Sequence, residues 1–146
     1  MIIVQDTREK QPWQFAEGQT VEKLDAGYYA LQHSFSIIIE RKKGISELAR
    51  NLGFKRPQFE AELEKMEPYE QRYVICEFSY EAMLKYPKGE RIPRKLKRKI
   101  KMNGPYMATV ISTLEEQYGV EFIFCEDRQT AKNQAEELLS AASNTT

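Results

Sequence analysis
Along the chain, apolar residues recur in two rhythms that alternate with each other. Short, mostly apolar runs occur at Ile2 to Gln5, Tyr28 to Leu31, Phe35 to Arg41, Tyr73 to Phe78 and Val120 to Cys125. Runs of this length bounded by polar or turn residues predict buried strands. Only Gln32-His33-Ser34 separates the second run from the third, which predicts a hairpin, with Val21 to Leu24 extending its first arm before Gly27 bends it. Elsewhere the apolar positions step by three and four. Ile45, Leu48, Ala49 and Leu52 predict a helix stopping at Gly53, and Phe59, Leu63 and Met66 a second with Pro57 in its first turn. A short helix is predicted over 80–84. Met107, Val110, Ile111 and Leu114 mark one face of a helix over 106–118 that Gly119 caps, and a last helix covers 131–142. Hairpin-bearing strands come first and strand-helix alternation follows. That order predicts an α/β fold with a mixed central sheet flanked by helices.

With 146 residues the chain reads as one domain over 1–142, followed by a tail, 143–146, expected to fray. Cys76 and Cys125 lie inside apolar runs, so they are expected to be reduced core residues rather than a disulfide, and one histidine adds no zinc site. No apolar stretch approaches the roughly 20 residues of a membrane span, and no basic leader precedes the first strand, so no membrane partner and a cytoplasmic location are expected. The 22 basic and 22 acidic residues balance. Bulk charge therefore does not draw the chain onto nucleic acid, but its distribution does. Arg91, Arg94, Lys95, Lys97, Arg98, Lys99 and Lys101 follow one another with no acid between them. Such cations repel one another and gain most when phosphates replace their counterions, which predicts a DNA-binding surface. Arg50, Lys55 and Arg56 form a second set suited to holding a strand. Tyr28, Tyr29 and Phe54 are able to stack on an unpaired base, core packing being the alternative for at least one tyrosine.

Candidate chemistry lies at the end of the third run, Ile37-Ile38-Ile39-Glu40-Arg41-Lys42. Side chains alternate along a strand, so Glu40 and Lys42 share one face and Arg41 takes the other. A bare Glu-x-Lys is common as a charged strand end. Yet a carboxylate beside an ammonium also suits phosphodiester hydrolysis, in which Mg²⁺ takes one or two carboxylates and leaves its other positions to water and phosphate. Asp6, at the end of the first strand, and Asp25, before the hairpin, are the acids expected to join Glu40 as metal ligands. Asp25 is equally suited to capping a turn. Lys42 would face the attacked phosphate or the water, and Arg8 and Arg41 would anchor a neighbouring phosphate and order the site. Glu77 is expected to be a hydrogen-bonded structural acid.

Three segments, Asp6-Thr7-Arg8-Glu9, Leu24-Asp25-Ala26-Gly27-Tyr28-Tyr29 and Ile39-Glu40-Arg41-Lys42, resemble the nuclease domain of the XPF family, whose VDxRE, LxxGDY and ERK motifs stand in this order at similar spacing. The resemblance covers residues 1–78 and is strongest to short stand-alone members from bacteria and phages. It implies a restriction-endonuclease-like fold, Mg²⁺- or Mn²⁺-dependent cutting of branched, flapped or junction DNA of the kind met in repair and recombination, catalytic roles for Glu40, Lys42, Arg41 and Arg8, and homodimers, which are common in the family. Two departures bear on activity. Tyr28 stands where the family has its metal-binding GDY aspartate, and a phenol is a poor Mg²⁺ ligand at neutral pH. Either Asp25, Asp6 or Glu47 supplies the missing charge, or the ion is held weakly, or the chain is a catalytically silent nuclease fold that binds DNA or a partner. Glu47 itself lies one residue further beyond Lys42 than the family's helix acid.

Overall fold
A computed structural model of the chain describes residues 1–97 and 99–145. Six strands form one mixed sheet: β1 (Ile3–Asp6), β2 (Gln19–Glu22), β3 (Tyr29–Leu31), β4 (Ile37–Lys42), β5 (Gln71–Cys76) and β6 (Glu121–Phe124). They stand in the order β2-β1-β3-β4-β5-β6. β3 runs antiparallel to both of its neighbours, and the other pairs are parallel. The helices are α1 (Ile45–Leu52), α2 (Arg56–Glu64), α3 (Tyr80–Leu84), α4 (Arg94–Lys97), α5 (Gly104–Tyr118) and α6 (Arg128–Asn144). The α/β class and the flanked mixed sheet are as the apolar pattern predicts. Among the described residues no helix is long and apolar enough to cross a membrane.

Strand alternation divides the core in two. Ala30, Ile38, Val74 and Phe122 face one way and pack against α1, α2 and α5, while Ile3, Tyr29, Leu31, Ile37, Ile39 and Ile75 face the other and pack against α6. Small residues on α6, Ala131, Ala135 and Ala142, bring that helix close to the sheet. Each buried isoleucine contributes about 1.5–3 kcal/mol relative to exposure. Burial on both faces is why β4 reads as an unbroken apolar run before its charged end.

Several boundaries differ from the pattern. Residues 19–22 do not extend the hairpin arm; they form an edge strand parallel to β1, where the Gln19 side chain donates to the Trp13 carbonyl (2.7 Å) and to Gln5 (2.9 Å). α6 begins before Ala131 because Asp127 and Thr130 form a capping box, the Asp127 carboxylate accepting from the Thr130 N–H at 2.8 Å. It also continues to Asn144, so Ser143 and Asn144 of the expected tail are helical, and Thr146 lies outside the described residues. Gly27 is fixed by sterics. Its φ is 64°, and a Cβ there would meet Ile38 Cγ1 at 2.7 Å. The turn it makes lets the Tyr28 N–H donate to the Ile39 carbonyl (2.8 Å) while the Tyr28 carbonyl accepts from the Asp6 N–H (2.8 Å). The ends of β1, β3 and β4 are thereby laid side by side.

Candidate functional site
Glu40 and Lys42 continue the face of Ile38 at the end of β4, and Arg41 continues the face of Ile39. The Lys42 ammonium stands 5.0 Å above the Phe59 ring of α2. Glu40 is 6% exposed, and its Oε1 accepts from the Arg41 N–H at 2.9 Å. Burial pushes the Glu40 carboxyl above its ordinary range, and the nearby Lys42 and Arg8 charges offset only part of that. Among the described residues no donor reaches its Oε2.

Arg41 is a correction to the sequence reading. Its guanidinium is enclosed and stacked 4.5 Å from the Trp13 ring. It donates to Glu9 (3.0 Å), to the Gln11 carbonyl (2.6 Å) and to Glu77 (3.0 Å), and its second terminal nitrogen pairs with Glu77 at 2.8 Å. The Trp13 indole also donates to Glu77 (2.7 Å), and the Tyr29 hydroxyl donates to Glu9 (3.1 Å). The side chain has no exposed surface and is committed to these partners. Arg41 positions the strand from behind, and Glu77 is the structural acid expected of it.

Asp6 is likewise committed. It is fully buried; one oxygen accepts from the Leu24 N–H (2.6 Å), and the other from the Arg8 N–H (2.9 Å) and the Arg8 Nε. Burial pushes the Asp6 carboxyl up, but these donors outweigh it and hold the group below its usual range. Burial likewise pushes Glu9 up, and the Arg41 charge overcomes it, so Glu9 also sits low. A carboxyl lowered by folding contributes stability that is complete above its unfolded value and is lost as pH falls through its folded one. The urea midpoint is therefore expected to drop below about pH 4, and Glu9→Gln to flatten that drop.

Asp25 does not join Glu40. It is exposed, and its charge acts on the Tyr69 phenol, which precedes β5 beside the opposite end of β4. The acid whose charge does act on Glu40 is Glu62 of α2, which the sequence reading missed. Its Oε2 is enclosed without a hydrogen-bond partner, lies 3.7 Å from Arg8 Nη1, and its charge pushes Glu40 up further. The available signal was helical phase: Glu62 follows Phe59 by three residues and precedes Leu63, so an acid stands on the inward side of α2. Glu47 accepts from the Lys43 N–H (3.2 Å) and lines a cleft of about 210 Å³ with Arg8, Glu9, Lys10, Tyr28, Arg41 and Lys43. Tyr28 lies under the Arg8 guanidinium at 5.3 Å, and its phenol is pushed up to about 12, first by burial and then by the Glu40 charge. It remains a neutral O–H at physiological pH.

Among the described residues no three His, Cys, Asp or Glu side chains gather as a metal-holding group. Mg²⁺ needs only one or two carboxylates if water and phosphate complete its shell. Glu40 with Glu62 fits that requirement, each keeping an oxygen that accepts no hydrogen bond, although that of Glu62 lies 3.7 Å from Arg8; Asp6 and Asp25 do not. Arg8, whose side chain is 46% exposed, remains open to solvent.

The expected DNA-binding residues are unequal. Arg50, Lys55, Arg94, Lys95, Lys99 and Lys101 are exposed, Lys97 is half-buried, and none of them pairs with a carboxylate among the described residues. Arg56 is tied to Glu60 at 2.8 Å. Arg98 lies outside the described residues. Glu90 accepts from the Ser46 N–H (3.1 Å) and hydroxyl (2.8 Å), which anchors the start of the basic segment to the first turn of α1.

No protein-family model matches the chain, and no curated protein does. Among solved structures, XPF from Aeropyrum pernix superposes with a TM-score of 0.70 at 21% identity over 98% of this chain. The chain has the XPF fold. XPF from Aeropyrum pernix in complex with DNA superposes with a TM-score of 0.66 at 22% identity over 99% of the chain. The chain spans 62% and 66% of those two XPF chains. At such identity the likeness to XPF concerns the fold, and within it Glu40 and Lys42 stand together at the end of a central strand.

Proposed function
We propose that the chain is a Mg²⁺- or Mn²⁺-dependent endonuclease that hydrolyses phosphodiesters in branched, flapped or single-strand/double-strand junction DNA. The observation that carries this reading is the Glu40–Lys42 pair, acid and ammonium on one face of β4, in a fold shared with an XPF that was solved with DNA. Glu40 and Glu62 would hold the ion. The chemistry such an ion supplies is activation of water and neutralisation of phosphate charge. Lys42 stabilises the charge that grows on the scissile phosphate, and its seat over Phe59 keeps it aimed. Arg8, which donates to Asp6 and to the Gly27 carbonyl (2.8 Å), takes an adjacent phosphate with its remaining N–H groups, and the neutral Tyr28 phenol offers one more donor.

The test is incubation of the purified protein with flap, fork and blunt duplex DNA in Mg²⁺ or Mn²⁺, beside Glu40→Ala. Cutting of flap or fork by the parent alone is expected. Binding without cutting by either protein would assign the chain to the silent class that Tyr28 suggests. For the basic segment, Lys95→Glu with Lys99→Glu is expected to weaken all DNA alike. In a salt titration it flattens the slope of log affinity on log salt by about one per lost phosphate contact.

A further inference from the structure
A second cleft, of about 520 Å³, lies at the far end of α1, with apolar walls from Phe54, Tyr86, Ile100 and Met102 and with Arg50 and Lys101 at its margin. Phe54 is 75% exposed, more than any other large apolar side chain among the described residues. Lys55 Nζ stands 5.9 Å from its ring. Nothing in the hydrolytic site needs this aromatic, and its exposure forgoes burial worth about 1.5–3 kcal/mol. Arg50, Lys55 and Lys101 have no carboxylate partner among the described residues.

A purely apolar occupant would leave those three cations without anions, and a purely anionic one would leave the apolar walls wet. A flat heterocycle with a phosphate on either side satisfies both. We propose that this cleft takes one unpaired nucleobase of a single-stranded DNA arm, stacked on Phe54, with flanking phosphates on Arg50 and Lys101. The proposal rests on the DNA-cutting reading and names the part of the substrate that this second site selects. α1 leads directly from Lys42 to the cleft, and its eight residues span about 12 Å. A strand gripped at Phe54 thus lies within a few nucleotides of Glu40.

The experiment is a metal-free anisotropy titration of the full chain with a blunt duplex and with the same duplex carrying a short single-stranded arm. A parallel series places 2-aminopurine in the arm. The parent is expected to prefer the armed DNA and to quench the 2-aminopurine. Phe54→Ala is expected to lose about tenfold or more on armed DNA and nothing on the blunt duplex, whereas Phe54→Trp keeps both the preference and the quenching. Equal affinity for armed and blunt DNA, or an unaffected Phe54→Ala, would overturn the cleft assignment and leave the DNA-cutting reading standing. An RNA arm held more tightly than the DNA arm would overturn the choice of DNA. Absence of binding to either duplex would overturn both readings.

Discussion

Arg41→Ala is expected to lower the folding free energy by about 3–5 kcal/mol, the usual consequence of removing one partner from a buried ionic network. Truncation leaves Glu77 enclosed without its cation and Glu9 with Lys43 alone, and it removes the plane on which Trp13 stacks. The Glu9 carboxyl sits low chiefly because the Arg41 charge and hydrogen bond oppose its burial, so in the variant only Lys43 (3.3 Å) and the Gln11 N–H (3.3 Å) are left to favour its charged form against that burial. Arg41→Lys is expected to recover only part of the loss, since an ammonium cannot fork between two carboxylates and a carbonyl. Urea melts at pH 7 followed by circular dichroism make the measurement. A loss below about 1 kcal/mol in Arg41→Ala, the size of an exposed ion pair, would show that the network does not hold β4 in place.

Glu40→Gln is expected to move activity and stability in opposite directions. On the proposed function, cleavage falls by at least about 10³-fold, since a ligand of the activating ion is lost. Stability rises. The folded Glu40 carboxyl is held above its unfolded value by burial, so the native state favours the protonated form and loses stability as pH climbs through that window. The glutamine carbonyl still accepts from the Arg41 N–H, and it carries no charge to desolvate. A gain of about 1 kcal/mol would raise the melting temperature of a 146-residue chain by roughly 3 °C. Thermal melts in a chelator, read beside the junction-cleavage assay, separate the two effects. A variant that cuts as well as the parent would remove Glu40 from the chemistry, and one that melts lower would show that Lys42 and Arg8 favour the ionised form more than burial disfavours it.

Local pattern carried much of the architecture. The β4 run, the span of α1 and the sharing of one face by Glu40 and Lys42 follow from periodicity alone, because β4 is buried on both faces and α1 buries one stripe, Leu48, Ala49 and Leu52. The start of α6 was set by polar chemistry instead, through the side chains of Asp127 and Thr130 ahead of its first inward residue. The site was legible only in part. Alternation puts Arg41 behind the sheet, but what it meets there comes from Glu9 and Glu77, 32 and 36 residues away, and no local rule foretells that meeting. Motif order pointed to Asp25, whose position before Gly27 leaves it exposed, whereas the acid whose charge acts on Glu40 stands on α2, outside any of the three motifs. Arg50, Phe54 and Lys101 were separate notes in the sequence. Packing of Ile100 and Met102 against the end of α1 made one cleft of them.

Trp13 is the chain's single tryptophan, 1% exposed, with the Arg41 guanidinium 4.5 Å from its ring and the Tyr29 ring stacked at 4.9 Å. Intrinsic emission excited at the red edge of the protein band therefore arises from one indole mounted directly behind the acid and the ammonium. The molecule carries its own optical gauge: a red shift on solvent entry would register loosening of that backing before the remainder of the sheet gives way.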